Sequence, residues 1–389
     1  MAGTLMACSV PVCRYALERW KADLFDVVVF HDAPLSQQQH EILDSLRPDE
    51  NGKKPANVHV TLVNVNEEVP PLFQPMWEAN RNETLPRMVV RYPDPRVAPD
   101  GFWSNDISRK SIGLLLDSKV RRLVGEELVK GTSAVWILLE SGDSEKDAAA
   151  EKRILDRLEH LEHTLEISKP DAQDIEEGLV AIDPDKLELS FRMFRLSRTD
   201  ATESFFVDSL LNTEKDLRDD EYAGQPMAFP IFGRGRCLYA LIGDGIDNDN
   251  IDEACQFLAG PCSCQVKNQN PGVDMLMATD WDALVNATID VDNSLPPLVG
   301  LQGFEQSDSK IDSVSSTTTT DGTGVDDSLV NASMTGVDAA TNTRRGSFAT
   351  TKLPVDTGVS SLRRNLVMLA MGAGVVVVLL SIFVVRRQS

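Results

Sequence analysis

Asp26-Val-Val-Val-Phe30, stopped by His31-Asp-Ala-Pro34, is a dense β-branched run of the kind that forms a buried strand. Ser36 opens a helical stretch whose apolar positions Ile42, Leu43 and Leu46 are helix-spaced. An alternating strand follows at Val58, Val60, Leu62 and Val63, and Leu85-Pro86 then leads directly into the strand Arg87-Met-Val-Val-Arg-Tyr92. A turn at Pro93-Asp-Pro95, a short run Gly101-Phe-Trp-Ser104 and a helix opened by Ser108, with Ile112, Leu115, Leu116 and Leu123 on its apolar side, close the unit.

The same order returns further along the chain. Ala134-Val-Trp-Ile-Leu-Leu139 is a second buried strand, ending at Ser141-Gly142, and a charged helix over about 143–166 carries Ile154, Leu155, Leu158, Leu161 and Leu165 as its apolar stripe. A strand over 187–196 and a short helix over 204–211 come next. Met227-Ala-Phe-Pro-Ile-Phe232, the turn Gly233-Arg-Gly-Arg236 and Cys237-Leu-Tyr-Ala-Leu-Ile242 predict a hairpin. A helix begins near Asn250, with Asp252 and Glu253 in its first turn, where carboxylates favour the positive end of the dipole.

This repeated order, a βαβ unit, a proline-led hairpin and a closing helix, resembles the thioredoxin fold, in which a cis-proline introduces the third strand. Pro86 and Pro230 are the candidates for that role. The resemblance implies an α/β chain with two tandem thioredoxin-like domains, 14–131 and 132–290. Thioredoxin-like oxidoreductases carry Cys-x-x-Cys just after the first strand, where the next helix's N-terminus lowers a thiol pKa. Here His31-Asp-Ala-Pro34 and Ser141-Gly-Asp-Ser144 occupy those places, so both copies lack the redox dithiol.

Composition bounds the function from another side. Among 389 residues, 38 Lys and Arg stand against 60 Asp and Glu, a formal charge of -22, which leaves no large basic surface for nucleic-acid phosphates. Apolar residues at 42% and charged residues at 25% are enough to build cores, so a wholly disordered chain is excluded. Residues 291–362 are the exception: SSTTTTDGTG and DDSLVNASMTG contain almost nothing large and apolar, and predict a disordered, Ser/Thr-rich acidic linker. The Asn-x-Ser/Thr triplets at Asn82, Asn286 and Asn331 are read as chance occurrences.

The stretch that begins at Leu366 and ends at Val385, LVMLAMGAGVVVVLLSIFVV, has no charge and no proline and is bracketed by Arg363-Arg364 and Arg386-Arg387. About 20 apolar residues span a bilayer core, so residues 363–387 predict one transmembrane helix with flanking arginines. Near the start, Leu5-Met6-Ala7-Cys8 has the form of a bacterial lipobox, making Cys8 a lipidation candidate and 1–13 a remnant of a signal. Only seven residues precede Cys8, without a full basic and apolar region, so a start further upstream is expected. The arginines around the span, taken alone, favour a cytoplasmic body.

Six cysteines are present: Cys8, Cys13, Cys237, Cys255, Cys262 and Cys264. The group Cys255, Cys262, Cys264 reads as a disulfide staple or as buried thiols, with Cys262 and Cys264 alternatively a redox pair. A zinc site lacks nearby histidines, and no metal or other cofactor is expected. His160 and His163, with Glu159 and Glu162, read as a solvated helix face. Asp244, Asp247, Asp249, Asp252 and Glu253 fail the calcium-loop pattern in every register and read as helix capping. Gly233-Arg-Gly-Arg236 could grip an anion, although a hairpin turn needs its glycines anyway. No P-loop, Gly-x-Ser-x-Gly or His-Glu-x-x-His is present.

VPVCRYALERW, from Val10 to Trp20, and GRGRCLYALIGDGI through LAGPCSCQVKNQNPGVDMLM resemble an uncharacterised family of envelope proteins in planctomycete-type bacteria. The resemblance covers most of residues 8–285 and implies relatives in which a secretory signal ends just before the Ala-Cys that matches Ala7-Cys8 and a membrane helix closes the chain. It favours export, with the globular domains on the periplasmic side of a single-pass cell-membrane protein. The expectation is a membrane-anchored, non-catalytic interaction or scaffold protein that binds an unknown protein partner. The alternative is an envelope thiol-disulfide oxidoreductase using Cys262 and Cys264.

Overall fold

A computed structural model describes residues 8–50, 52–262 and 266–288. Residues 1–7, Cys264, the 291–362 linker and the 366–385 apolar stretch lie outside them. Among the described residues no helix is long and apolar enough to cross a membrane.

The first repeat begins after a short helix, α1 (Val12–Glu18), with β1 (Phe25–His31), α2 (Gln37–Asp44), β2 (Val58–Asn64) and α3 (Gln74–Asn80). It continues through β3 (Arg87–Arg91), β4 (Trp103–Asp106) and α4 (Arg109–Leu116). The strands form one sheet in the order β2-β1-β3-β4, with β1 and β2 parallel and the other neighbours antiparallel. Ser36 caps α2 through a reciprocal capping box with Gln39, as its place in the sequence implies.

After α5 (Lys119–Val129) the order repeats with β5 (Ala134–Leu139), α6 (Ser144–Thr164), α7 (Ala172–Glu176), β6 (Phe191–Leu196) and α8 (Ser204–Leu210). Then come β7 (Met227–Phe232), β8 (Arg236–Cys237), β9 (Leu241–Ile242), α9 (Asn248–Ala259), β10 (Val273–Asp274) and α10 (Trp281–Thr288). The second sheet runs β10-β8-β7-β5-β6, with β9 also paired to β7. Its β6-β5-β7-β8 portion repeats the order of the first sheet, again with the first two strands parallel. The result is a mixed α/β architecture with two sheets and helices.

The two candidate prolines part company. Among the described residues the one cis peptide bond is Leu85-Pro86, immediately before β3. Pro230 is not cis, and it sits inside β7 opposite Trp136 rather than at the strand's entrance, which corrects its assignment. Residues 229–230 of β7 face 238–240, because Ala228 pairs with Leu241 and Ile231 with Cys237. That one extra residue is a bulge, which splits the expected hairpin strand into β8 and β9 and accommodates a proline that has no N–H to give the ladder. The residue before β7 is Pro226, in the place that Pro86 holds before β3.

Packing departs from the linear order in two further places. The helix expected to run on from Ser108 breaks at Asp117-Ser118, and both Ser108 and Ser118 cap a helix with their hydroxyls. Ile112 and Leu115 of α4 join the core of the first sheet, whereas Val124 and Leu128 of α5 join that of the second. The N-terminal segment also belongs to the second sheet: Cys8, Val10, Val12, Cys13, Tyr15 and Ala16 pack with Trp136, Ile154 and Leu258. In return Phe205 of α8 and Leu276 enter the core of the first sheet. Both sheets fall within one unit, Met1–Gly303.

Candidate functional site

The end of the first strand in each repeat is where a thioredoxin-like thiol pair would stand. At the end of β1, His31 Nδ1 lies 3.0 Å from the Ala33 carbonyl oxygen, and the Asn66 amide donates to the Asp32 carbonyl at 2.6 Å. At the end of β5 the Asp147 carboxylate reaches back along α6 and takes the N–H of Ser141 at 2.7 Å, its hydroxyl at 2.7 Å and the N–H of Gly142 at 3.2 Å. Asp143 caps the same helix by accepting from the N–H groups of Glu145 and Lys146. An internal carboxylate 3% exposed thus occupies the donors that an activated thiolate or a bound anion would use.

The five cysteines among the described residues are buried. Cys8, Cys13, Cys255 and Cys262 share the core cluster that contains Trp136, and Cys237 lies in the cluster on the other face of the same sheet. Cys264 is outside the described residues. Burial pushes the Cys13 thiol up to about 11, against the lowering effect of its Ser133 hydrogen bond, and raises Cys237 and Cys255 as well. Cys8 is raised by burial and then by the charge of Asp174. These shifts oppose the thiolate that redox chemistry requires. The Cys262 N–H donates to the Val10 carbonyl at 2.8 Å, and the Val12 N–H to that of Gly260 at 2.9 Å, so the two segments run as a short antiparallel bridge. Ser9 next to Cys8 is held through its N–H and hydroxyl by Asp174, and its carbonyl accepts from Ser168. Modification of the Cys8 thiol requires this strapped segment to leave the core.

The remaining motifs are taken up by the fold. Glu159, His160 and His163 are exposed on α6, Glu162 accepts the Phe191 N–H, and no group of three metal-ligating residues occurs among the described residues. Asp247 caps α9 through the Asn250 N–H, and Asp252 holds Arg157 in a two-pronged pair. Arg234 turns inward, donating to the carbonyls of Leu17 and Glu18 at the end of α1 and pairing with Asp282. Gly233, at φ 56°, passes so close to α1 that a Cβ would lie 2.6 Å from that of Ala16. Arg236 donates to the carbonyls of Pro271 and Asn270 and to the buried Asp274, which also holds Lys267. The Gly-Arg-Gly-Arg turn is therefore a tie between α1, the second sheet and residues 270–274.

Three buried polar residues that periodicity does not single out fasten the two cores to one another. Arg121 of α5 donates to the carbonyls of Leu276, Leu114 and Leu115, with its guanidinium 4.9 Å from the centre of the Phe205 ring. Burial lowers its pKa to about 10. Asn57 donates to the carbonyls of Asp23 and Met275 and accepts the Met277 N–H. Glu203 takes the Ser118 hydroxyl and the Val120 N–H.

A cavity of about 660 Å³ lies beside the β3–β4 turn and is lined by Asp23, Leu24, Asp94, Arg96, Asn270 and Val273, among others. Arg96 chelates Asp94 and holds its carboxyl below the usual range. Across Arg96 and Val97 a second cavity of about 360 Å³ exposes Glu214, whose carboxyl is raised by burial and accepts the Ala240 N–H at 2.9 Å. Among the described residues no serine, cysteine or histidine lines either cavity, so these walls can hold a polar group but offer none of those nucleophiles or bases. No family model matches the chain, and no curated protein and no solved structure matches it.

Proposed function

We propose that the protein is a non-catalytic interaction or scaffold module of the bacterial envelope, built from two thioredoxin-like halves and tethered to the membrane by residues 366–385. The observation that carries the reading is the β5–α6 turn, where Asp147 consumes the amides and hydroxyl that a reactive group would need. Repetition of the same strand order in both sheets supports the thioredoxin-like assignment, and the cis bond at Pro86 supports it for the first half. The raised thiols of Cys13, Cys237 and Cys255 disfavour thiol exchange at those three positions. The tether, the periplasmic orientation and the resemblance to planctomycete-type envelope proteins belong to the same proposal. Crosslinking in intact cells tests it: a reproducible protein partner is expected, and its absence, or activity in an insulin-reduction assay, overturns the scaffold reading.

A further inference from the structure

A cavity of about 430 Å³ lies where the loop before β2, the end of α1 and the start of α10 converge. Four cations line it, Lys21, Lys53, Lys54 and Arg234, against the two carboxylates of Asp280 and Asp282. Lys53 pairs with Asp280 at 3.2 Å and Arg234 with Asp282 at 2.5 Å, which leaves the ammonium groups of Lys21 and Lys54 with no acidic partner among the described residues. In a chain of formal charge -22 this concavity carries a local excess of positive charge. Trp281 closes the same wall from the core side, 6% exposed and packed among the apolar residues of the second sheet. The wall is held in place: Asn57 is bonded on both sides of its amide, and Arg234 is anchored to the carbonyl of Leu17 at 2.8 Å.

We propose that this cavity is a binding site for a small multivalent oxyanion, a phosphate ester or a polycarboxylate, with Lys21 and Lys54 supplying the charge. The site is separate from both strand ends and does not depend on the scaffold reading. Isothermal titration of the full chain in detergent with inorganic pyrophosphate and, separately, with citrate tests it, and the arm that binds identifies phosphate or carboxylate as the recognised chemistry. Saturable binding of at least one probe is expected, weakened about tenfold or more by the double substitution Lys21→Ala with Lys54→Ala. Lys110→Ala with Lys169→Ala, which changes the charge equally at distant positions, should leave affinity within about twofold of the parent at fixed ionic strength. Lys21 and Lys54 are exposed, so these variants should retain the parent's circular dichroism. Failure of both probes to bind at millimolar concentration, or equal weakening by the two double substitutions, overturns the proposal.

Discussion

The two sheets share a strand order and differ in how they are covered. In the first, α2 and α4 pack on one face together with Phe205 and Leu276 from later in the chain, while the other face is a small cluster of Val28, Phe30, Val63 and Val89 under Phe73 and Met76. In the second, every residue of β5 is buried, and helices lie on both faces: α1, α6 and α9 on one, α5, α8 and α10 on the other. Three of those helices, α1, α5 and α10, stand outside the repeated order. A strand as apolar as Ala134-Val-Trp-Ile-Leu-Leu139 needs cover on both sides, and the chain supplies it from segments before and after the repeat. β2, buried only at Val58 and Val63 and exposed at His59 and Leu62, asks for less.

The comparison can be broken most severely at the fastener between the cores. Arg121→Ala leaves the carbonyls of Leu276, Leu114 and Leu115 without a donor and removes the cation beside Phe205, and is expected to cost about 3–5 kcal/mol in urea unfolding. A loss under about 1 kcal/mol would show that the cores hold together without it. The two strand ends should then respond unequally. Asp147→Ala, which strips the β5–α6 turn of its carboxylate, is expected to cost about 2–4 kcal/mol, measured by the same unfolding curves.

Alkaline pH probes the second sheet through its thiols. The folded-state pKa of Cys13 is raised from 9.0 to about 11, so the native state keeps a proton that the unfolded chain gives up. Stability from this group is complete below pH 9 and is lost as pH rises towards about 11, a fall of about 2–3 kcal/mol that Cys237 and Cys255 deepen. Unfolding free energies measured between pH 8 and 11 check the sign, and Cys13→Ala should flatten the profile. The smallest effect is at the first strand end: Ser36→Ala breaks the capping box of α2 and is expected to cost about 1 kcal/mol. Equal losses at Asp147 and Ser36 would remove the distinction between the two ends.

Most strands and helices of the repeat could be read from local pattern, because β-branched runs, helix-spaced leucines and capping serines report on their own neighbourhood. Helix α6 was expected over about 143–166 and runs Ser144–Thr164, with Asp143 as its cap. Helices α1, α3, α7 and α10 went unread: three are only 5 to 7 residues long, too short to establish a period, and α10 spans 8. The assignment of Pro230 failed because a proline before a strand and a proline opposite a bulge look alike until the register is known. The pocket at the start of α10 was invisible for a related reason, since Lys21 and Lys54 are far apart in sequence and unremarkable singly.

By itself the sequence determined the main strands and longer helices of each repeat, the proline at the entrance to β3 and the want of a dithiol at both strand ends, since each depends on residues adjacent in the chain. Tertiary structure alone decided that α1 belongs to the second sheet, that a single expected helix divides at Ser118 between two cores, and that Arg121, Asn57 and Glu203 are buried fasteners rather than surface polar groups. Such roles exist only once distant backbone meets them: Arg121 and the Leu276 carbonyl are 155 residues apart, and nothing in the local pattern of either announces the other.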